Sequence, residues 1–220
     1  MQLYLIRHGI TDAHLNKIRQ SADTPLGKHG LQQAKAVAKR LKNIKFDYLY
    51  SSNWPRALQT AQEIAKEINM EIKLHPLIHE NLKHPSLNDI PEDSQINQRF
   101  VQERKDNWYN FDWKFDGEGE SVNDLIQRAQ KVINYLVQTH PSDDVAIVSH
   151  SYFMAILTGV MILGPETDRD VIMRLVRSLE VTNTGVSKFI YYPDSQIWRL
   201  IYHNDHHHLE SPKTVKICYI

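Results

Sequence analysis

Leu3-Tyr4-Leu5-Ile6-Arg7-His8-Gly9 is the stretch on which the fold turns. Its first four residues form an apolar run that reads as a buried strand, and the run stops on an arginine, a histidine and a glycine. A second run of this kind, Asp144–Val148, leads into Ser149-His150. Between the two lie Tyr48-Leu49-Tyr50, a short strand followed by the helix-starting Ser51-Ser52-Asn53 and Pro55, and Glu71–Leu74, which alternates like a strand. Helical spacing separates these runs. Ala34, Val37, Ala38 and Leu41 mark one helix, and Leu58, Ala61, Ile64, Ala65 and Ile68 a second. Val122, Leu125, Ile126, Ala129, Val132, Ile133 and Leu136 mark a third, and another apolar helix starts near Ser151. Val186–Tyr191 and Trp198–Tyr202 read as a terminal hairpin around Pro193-Asp194. Strand–helix alternation predicts an α/β fold, a three-layer α/β/α sandwich on a mostly parallel mixed sheet. All 220 residues read as one domain, with a less regular, aromatic-rich segment at about 80–119 that suits a substrate lid.

The bulk numbers narrow the function. Lys plus Arg and Asp plus Glu both number 26, so the balance gives no reason to expect nucleic acid or an anionic membrane as partner. The one cysteine, Cys218, can form no intrachain disulfide, which suits a reducing compartment. Its tail position, without a local motif, argues against a catalytic thiol. The N-terminal apolar run is too short for a secretory signal. The apolar stretch Phe153–Leu163 falls short of the roughly 20 residues that span a bilayer, so a cytoplasmic protein is expected.

In sheets of this kind ligands sit beyond the carboxyl ends of the strands. The residues there are Arg7-His8 after the first strand, Arg56 in the first turn after the second, Glu80 after the third and His150 after the fourth. Together they suit phosphoryl transfer. A phosphate monoester carries about two negative charges, and guanidinium forks match its oxygens. A neutral imidazole can attack phosphorus and form a covalent intermediate, and neighbouring arginines keep the ring neutral by lowering its pKa. A carboxylic acid then protonates the departing oxygen and later activates water.

These residues, with others in order along the chain, resemble the histidine phosphatase superfamily, also called the phosphoglycerate mutase-like family. Arg7-His8-Gly9 resembles its first motif. Thr24-Pro25-Leu26-Gly27-Lys28-His29-Gly30-Leu31-Gln32-Gln33-Ala34 is similar to its Pro-Leu-Thr-x-x-Gly-x-x-Gln-Ala segment, with Gly27 in place of Thr. Ser51-Ser52-Asn53-Trp54-Pro55-Arg56-Ala57-Leu58-Gln59-Thr60-Ala61 resembles Ser-x-x-x-Arg-Ala-x-Gln-Thr-Ala. Glu120-Ser121 with Arg128, Val148-Ser149-His150, Asn183-Thr184-Gly185 and Trp198-Arg199-Leu200 extend the likeness over nearly the whole chain. The resemblance implies His8 as nucleophile, Arg7, Arg56 and His150 as the phosphate pocket, and Glu80 as general acid. It implies no cofactor and no metal, because arginines supply the positive charge.

The chain departs from the family pattern in several places. The family's loop asparagine falls on His14; Asn16 and Arg19 reach the pocket if the loop carries a small insertion, and are otherwise solvated. Ser151 stands where Gly or Asn is usual, and suits a helix cap. Glu118 and Glu120 compete with Glu80 for the acid role, but the helix-start position of Glu120 favours capping. Within the 80–119 segment, Lys83, His84, Arg99 and Arg104 could grip an anionic substrate. His206-His207-His208 lacks the spacing and further ligands of a metal site and reads as a surface loop. Three functions fit: a phosphatase acting on a small phosphorylated substrate, a mutase returning the phosphoryl group to the same substrate, and a phospho-ligand binding module without turnover. The compact lid favours the phosphatase. A sheet edge or exposed helix would allow a homodimer.

Overall fold

A computed structural model describes residues 1–209; Cys218 lies outside the described residues. Six strands form one sheet in the order β3-β2-β4-β1-β5-β6. They are β1 (Gln2–Arg7), β2 (Tyr48–Ser51), β3 (Ile72–Leu74), β4 (Asp144–Ser149), β5 (Val186–Tyr192) and β6 (Ile197–Asp205). The first four run parallel, and the β5–β6 hairpin adds two antiparallel strands beside β1. The chain thus has the mixed, mostly parallel sheet expected from its strand–helix alternation.

Period-two alternation sends the side chains of β1 to two different cores. Leu3 and Leu5 pack with α5 (Val122–Thr139), α6 (Ser151–Leu163) and α7 (Arg169–Ser178) on one face. Tyr4 and Ile6 pack with α2 (Lys28–Leu41) and α3 (Pro55–Ile68) on the other. These are the three layers. The apolar stretch after His150 is α6, buried between sheet, α5 and α7. Among the described residues no helix is long and apolar enough to cross a membrane.

Among the described residues, two helices outside the 80–119 segment go beyond the elements read from the sequence. One is α1 (Asp12–Leu15), a single turn capped by Thr11 Oγ1, which accepts from the His14 N–H at 3.1 Å. The other is α7, whose Ile172, Met173 and Val176 complete the core around α6. The 80–119 segment holds α4 (Gln95–Asp106) and a small apolar cluster of its own, Leu87, Phe100 and Phe115, so part of it is regular.

Close backbone approach explains Gly27, where the family pattern has Thr. A Cβ there would lie 2.9 Å from the Asp12 backbone nitrogen and 2.1 Å from its side-chain Oδ1. Gly30, one turn further on, is tighter still, since its Cβ would meet the Ile10 carbonyl oxygen at 2.0 Å. The loop after His8 is therefore pressed onto the start of α2.

Candidate active site

Register places the two histidines together. Arg7 pairs with Ser149 on neighbouring parallel strands, so the residues that follow, His8 and His150, leave the sheet side by side. The His8 N–H bonds the Ser149 carbonyl at 3.0 Å, and the two rings lie 5.0 Å apart, centre to centre. Asn183 Nδ2 donates to the His8 carbonyl at 3.0 Å, and the Thr184 N–H to the Arg7 carbonyl at 3.0 Å. The loop bearing His8 is held from both sides.

The tautomer of His8 follows from its contacts. Nδ1 lies 2.7 Å from the Gly9 carbonyl oxygen, which can only accept, so Nδ1 carries the hydrogen in the neutral ring. The lone pair is then on Nε2. Arg56 Nε donates to that atom at 3.3 Å, while Arg56 NH1 donates to the Ser21 carbonyl at 2.8 Å. Pro55 occupies the first turn of α3 and sets the geometry from which Arg56 projects. Arg7 is buried at the end of β1, its NH1 donating to the Val181 carbonyl at 2.6 Å.

Burial, reinforced by Arg56 and Arg7, holds the His8 imidazole well below its ordinary pKa of 6.5. His150 is lowered in the same way, by burial first and then by Arg56 and His8. Its Nε2 lies 3.0 Å from Ser52 Oγ, and its Nδ1 is buried with no hydrogen-bond partner among the described residues. Arg56 is itself lowered to about 10 by burial, with Glu80 opposing the shift.

Glu80 meets the cluster from the loop after β3. Its Oε1 accepts from the Asn81 and Phe153 N–H groups at 3.0 Å each, and its Oε2 from Tyr152 at 3.1 Å. The carboxylate thus caps α6, where a negative charge meets the positive end of the helix dipole. Ser151 is the first residue of that helix; the side-chain cap is Glu80, and the serine hydroxyl points to the Val181 carbonyl. Glu120 likewise departs from the capping role. The box at the start of α5 is Ser121 with Asp124, and Glu120 is paired with Arg128 at 2.7 Å. Glu118 is exposed and faces His84 at 3.7 Å.

The structure gathers His8, His150, Arg7, Arg56 and Glu80 at one edge of the sheet. It does not bring Asn16 there. Asn16 ends the single turn of α1 and is exposed, because no insertion displaces the loop. His14 takes the inward position instead. Its Nδ1 is buried without a hydrogen-bond partner among the described residues, and burial with Arg7 nearby lowers its pKa to about 4. Sequence reasoning also passed over Trp54 and His79. The Trp54 ring packs under the Arg56 guanidinium at 4.7 Å, meets His150 edge-on at 5.0 Å and stacks on His79 at 5.7 Å. Trp54 stands two residues before Arg56, a placement that could have flagged it. His206 and His208 turn to Asn204 O and Thr184 Oγ1, and no group of three His, Cys, Asp or Glu among the described residues could hold a metal ion.

The sequence model of the histidine phosphatase superfamily (branch 1) matches residues 3–206. The chain belongs to this superfamily. A phosphoglycerate mutase-like protein of Arabidopsis thaliana is 29% identical, over 95% of this chain and 87% of its own. A protein of Escherichia fergusonii named a probable phosphoglycerate mutase is 27% identical, over 96% of both. Among solved structures, a phosphoserine phosphatase of Entamoeba histolytica in complex with phosphoserine superposes with a TM-score of 0.72 at 28% identity, covering 94% of this chain and 98% of that one. A mycobacterial glucosyl-3-phosphoglycerate phosphatase shares the fold, with a TM-score of 0.77 at 22% identity over 92% of this chain and 98% of that one.

The lowered histidines make a prediction about acid stability. Unfolded, His8 and His150 would titrate near 6.5; folded, they stay neutral to much lower pH. Between those values the unfolded chain binds more protons, so stability is full above pH 6.5 and is lost as pH falls below it. Each fully shifted imidazole contributes a slope of up to about 1.4 kcal/mol per pH unit. Urea midpoints are expected to drop steadily between pH 7 and pH 5. A flat midpoint across that window would show that both rings protonate freely in the folded state.

Proposed function

We propose that the chain hydrolyses a small phosphate monoester in two steps, through a phosphohistidine on His8. One observation carries the reading: a buried imidazole whose Nδ1–H is spent on Gly9, leaving Nε2 and its lone pair 3.3 Å from the Arg56 guanidinium. In the first step the Nε2–P bond forms and the ester P–O bond breaks. Arg7, Arg56 and His150 hold the phosphoryl oxygens as charge spreads over them. Glu80 supplies the proton that the departing oxygen needs; its Oε2, accepting a single N–H, keeps a lone pair on which that proton can ride. In the second step the Glu80 carboxylate takes a proton from water, the water oxygen attacks phosphorus, and the P–N bond breaks. Inorganic phosphate leaves and His8 is neutral again.

The 80–119 segment serves in this reading as the substrate lid. The single cysteine supports a cytoplasmic enzyme, and the arginine-built pocket one that needs no metal. Transfer of the phosphoryl group to a second hydroxyl of the same substrate is the second reading, favoured by the names of the curated relatives. Phosphate release from p-nitrophenyl phosphate, followed beside interconversion of phosphoglycerates, separates the two. The expected result is brisk release that EDTA leaves unchanged. Interconversion with negligible release would replace the hydrolase by the mutase. Absence of both activities over a broad phosphoester panel would leave a binding module.

A further inference from the structure

Position 54 breaks the local rule for starting a helix. Trp54 is the N-cap of α3, the place where Ser, Thr, Asp or Asn would bond a free backbone N–H, and it makes no side-chain cap bond. Ser52 and Asn53, both good capping residues, stand just before it. The half-buried indole gives the helix start no hydrogen bond; its contacts lie on the phosphoryl cluster.

Three side chains meet on that one ring. The Arg56 guanidinium carbon lies 4.7 Å from the ring centre, and the His150 ring meets it edge-on at 5.0 Å. The His79 ring stacks on it at 5.7 Å with 18° between the planes. His79 is fixed in turn, its Nδ1–H donating to the Glu80 carbonyl at 2.6 Å. The Trp54 backbone N–H donates to Ser52 Oγ at 3.3 Å, and the same hydroxyl lies 3.0 Å from His150 Nε2. One residue thus reaches His150 twice, by its ring directly and by its backbone through Ser52.

Arg56 shows why a ring is used. A buried guanidinium is ordinarily held by a carboxylate, as Glu120 holds Arg128. A carboxylate at Arg56 would occupy its donors and cancel the charge that a phosphate must meet. Among the described residues no carboxylate forms an ion pair with Arg56. Its Nε and NH1 go to His8 Nε2 and the Ser21 carbonyl, at 3.3 and 2.8 Å. An aromatic face attracts the cation through its quadrupole and takes none of its N–H donors. The charge and the remaining donors stay free for phosphoryl oxygens.

We infer that Trp54 is a positioning residue of the phosphoryl-transfer site: its indole, backed by His79, holds the Arg56 guanidinium and the His150 ring in the orientation that grips the phosphoryl group, without neutralising the arginine. The inference rests on the hydrolase reading and adds to it a side chain that acts through Arg56 and His150.

The test compares Trp54→Phe, which keeps an aromatic face, with Trp54→Leu and Trp54→Met, which keep apolar bulk alone. Trp198→Leu, in the core beside Phe189 and Tyr191, controls for lost stability. The readouts are the inhibition constant of inorganic phosphate against p-nitrophenyl phosphate hydrolysis, kcat/KM for the same ester, and the urea midpoint. Trp54→Leu and Trp54→Met are expected to raise the inhibition constant about tenfold and to lower kcat/KM by at least as much, the scale of a desolvated cation–π contact. Trp54→Phe is expected to recover most of that loss and to lie within about threefold of wild type. Trp198→Leu is expected to lower the urea midpoint and to leave the inhibition constant where it was. That constant is read on folded molecules, so a smaller folded fraction does not move it. An inhibition constant within about twofold of wild type in the Leu and Met variants would overturn the inference while leaving the hydrolase standing. So would a Phe variant as poor as they are, or an equal rise in Trp198→Leu. Wild type that releases no phosphate from any ester would remove the hydrolase reading and the part of Trp54 together.

Discussion

A His8→Ala protein is expected to fold and to lose turnover of a phosphate monoester by about four orders of magnitude or more, the scale seen when a covalent nucleophile is removed. The choice of His8 over His150 rests on how each ring is held. His8 has its Nδ1–H committed to Gly9 and presents Nε2 to Arg56. His150 has Nε2 against Ser52 Oγ, and its buried Nδ1 faces no partner among the described residues, which suits a group that binds an oxygen. The fold should survive because alanine removes a neutral ring from beside two arginines; what is lost is two hydrogen bonds, one to the Gly9 carbonyl and one from Arg56 Nε. Arg7, Arg56 and His150 remain, so the variant should still bind phosphate as a competitive ligand. Quenched wild-type enzyme should carry an acid-labile, alkali-stable phosphoryl group, absent from the variant. Hydrolysis at the wild-type rate by His8→Ala would remove this histidine from the chemistry, and a phosphoryl group trapped on His150 would move the nucleophile there.

Much of this site is legible in the sequence because strand register does the positioning. Once β1 and β4 are neighbours in parallel, the residues after Arg7 and Ser149 must emerge together. Period-two alternation within Leu3–Ile6 likewise fixes which residues meet which helix layer. Loop geometry is less legible. Asn16 and His14 are two residues apart on one helical turn, and the turn decides which faces inward; the sequence offers both as polar loop residues. Capping is similarly ambiguous. Glu120 and Asp124 flank Ser121, and only the backbone shows that Asp124 closes the box while Glu120 is drawn off by Arg128. Glu80 capping α6 is a contact across 72 residues of sequence, which no local pattern encodes. The helix α7 is a different matter, since Ile172 and Val176 stand at i and i+4 behind Asp168, a readable start signal.

The second large effect is expected from Arg128→Met, far from the phosphorus atom. The Arg128 side chain is 7% exposed and meets Glu120 in a two-bond fork, at 2.7 and 2.8 Å. The same guanidinium donates to the carbonyls of Leu77 and His79 at 2.8 and 2.9 Å, and lies 4.1 Å over the Phe153 ring. Those carbonyls belong to the loop that delivers Glu80. Methionine keeps most of the volume but leaves two carbonyls without a donor and the Glu120 carboxylate with only the Leu82 N–H, so the cost should fall near the about 3–5 kcal/mol typical of breaking a buried ion pair. Lysine keeps the charge and loses the fork, and should land between. Two readings separate position from stability. Urea unfolding should show the loss in every probe. Below the unfolding transition, kcat should fall more than KM changes if Arg7 and Arg56 bind the phosphate and Glu80 is the acid, because the two arginines are untouched while Glu80 drifts from its place. A loss under about 1 kcal/mol, or a KM effect alone, would mean that the loop holds Glu80 through its bonds to Tyr152 and Phe153 and owes nothing to Arg128.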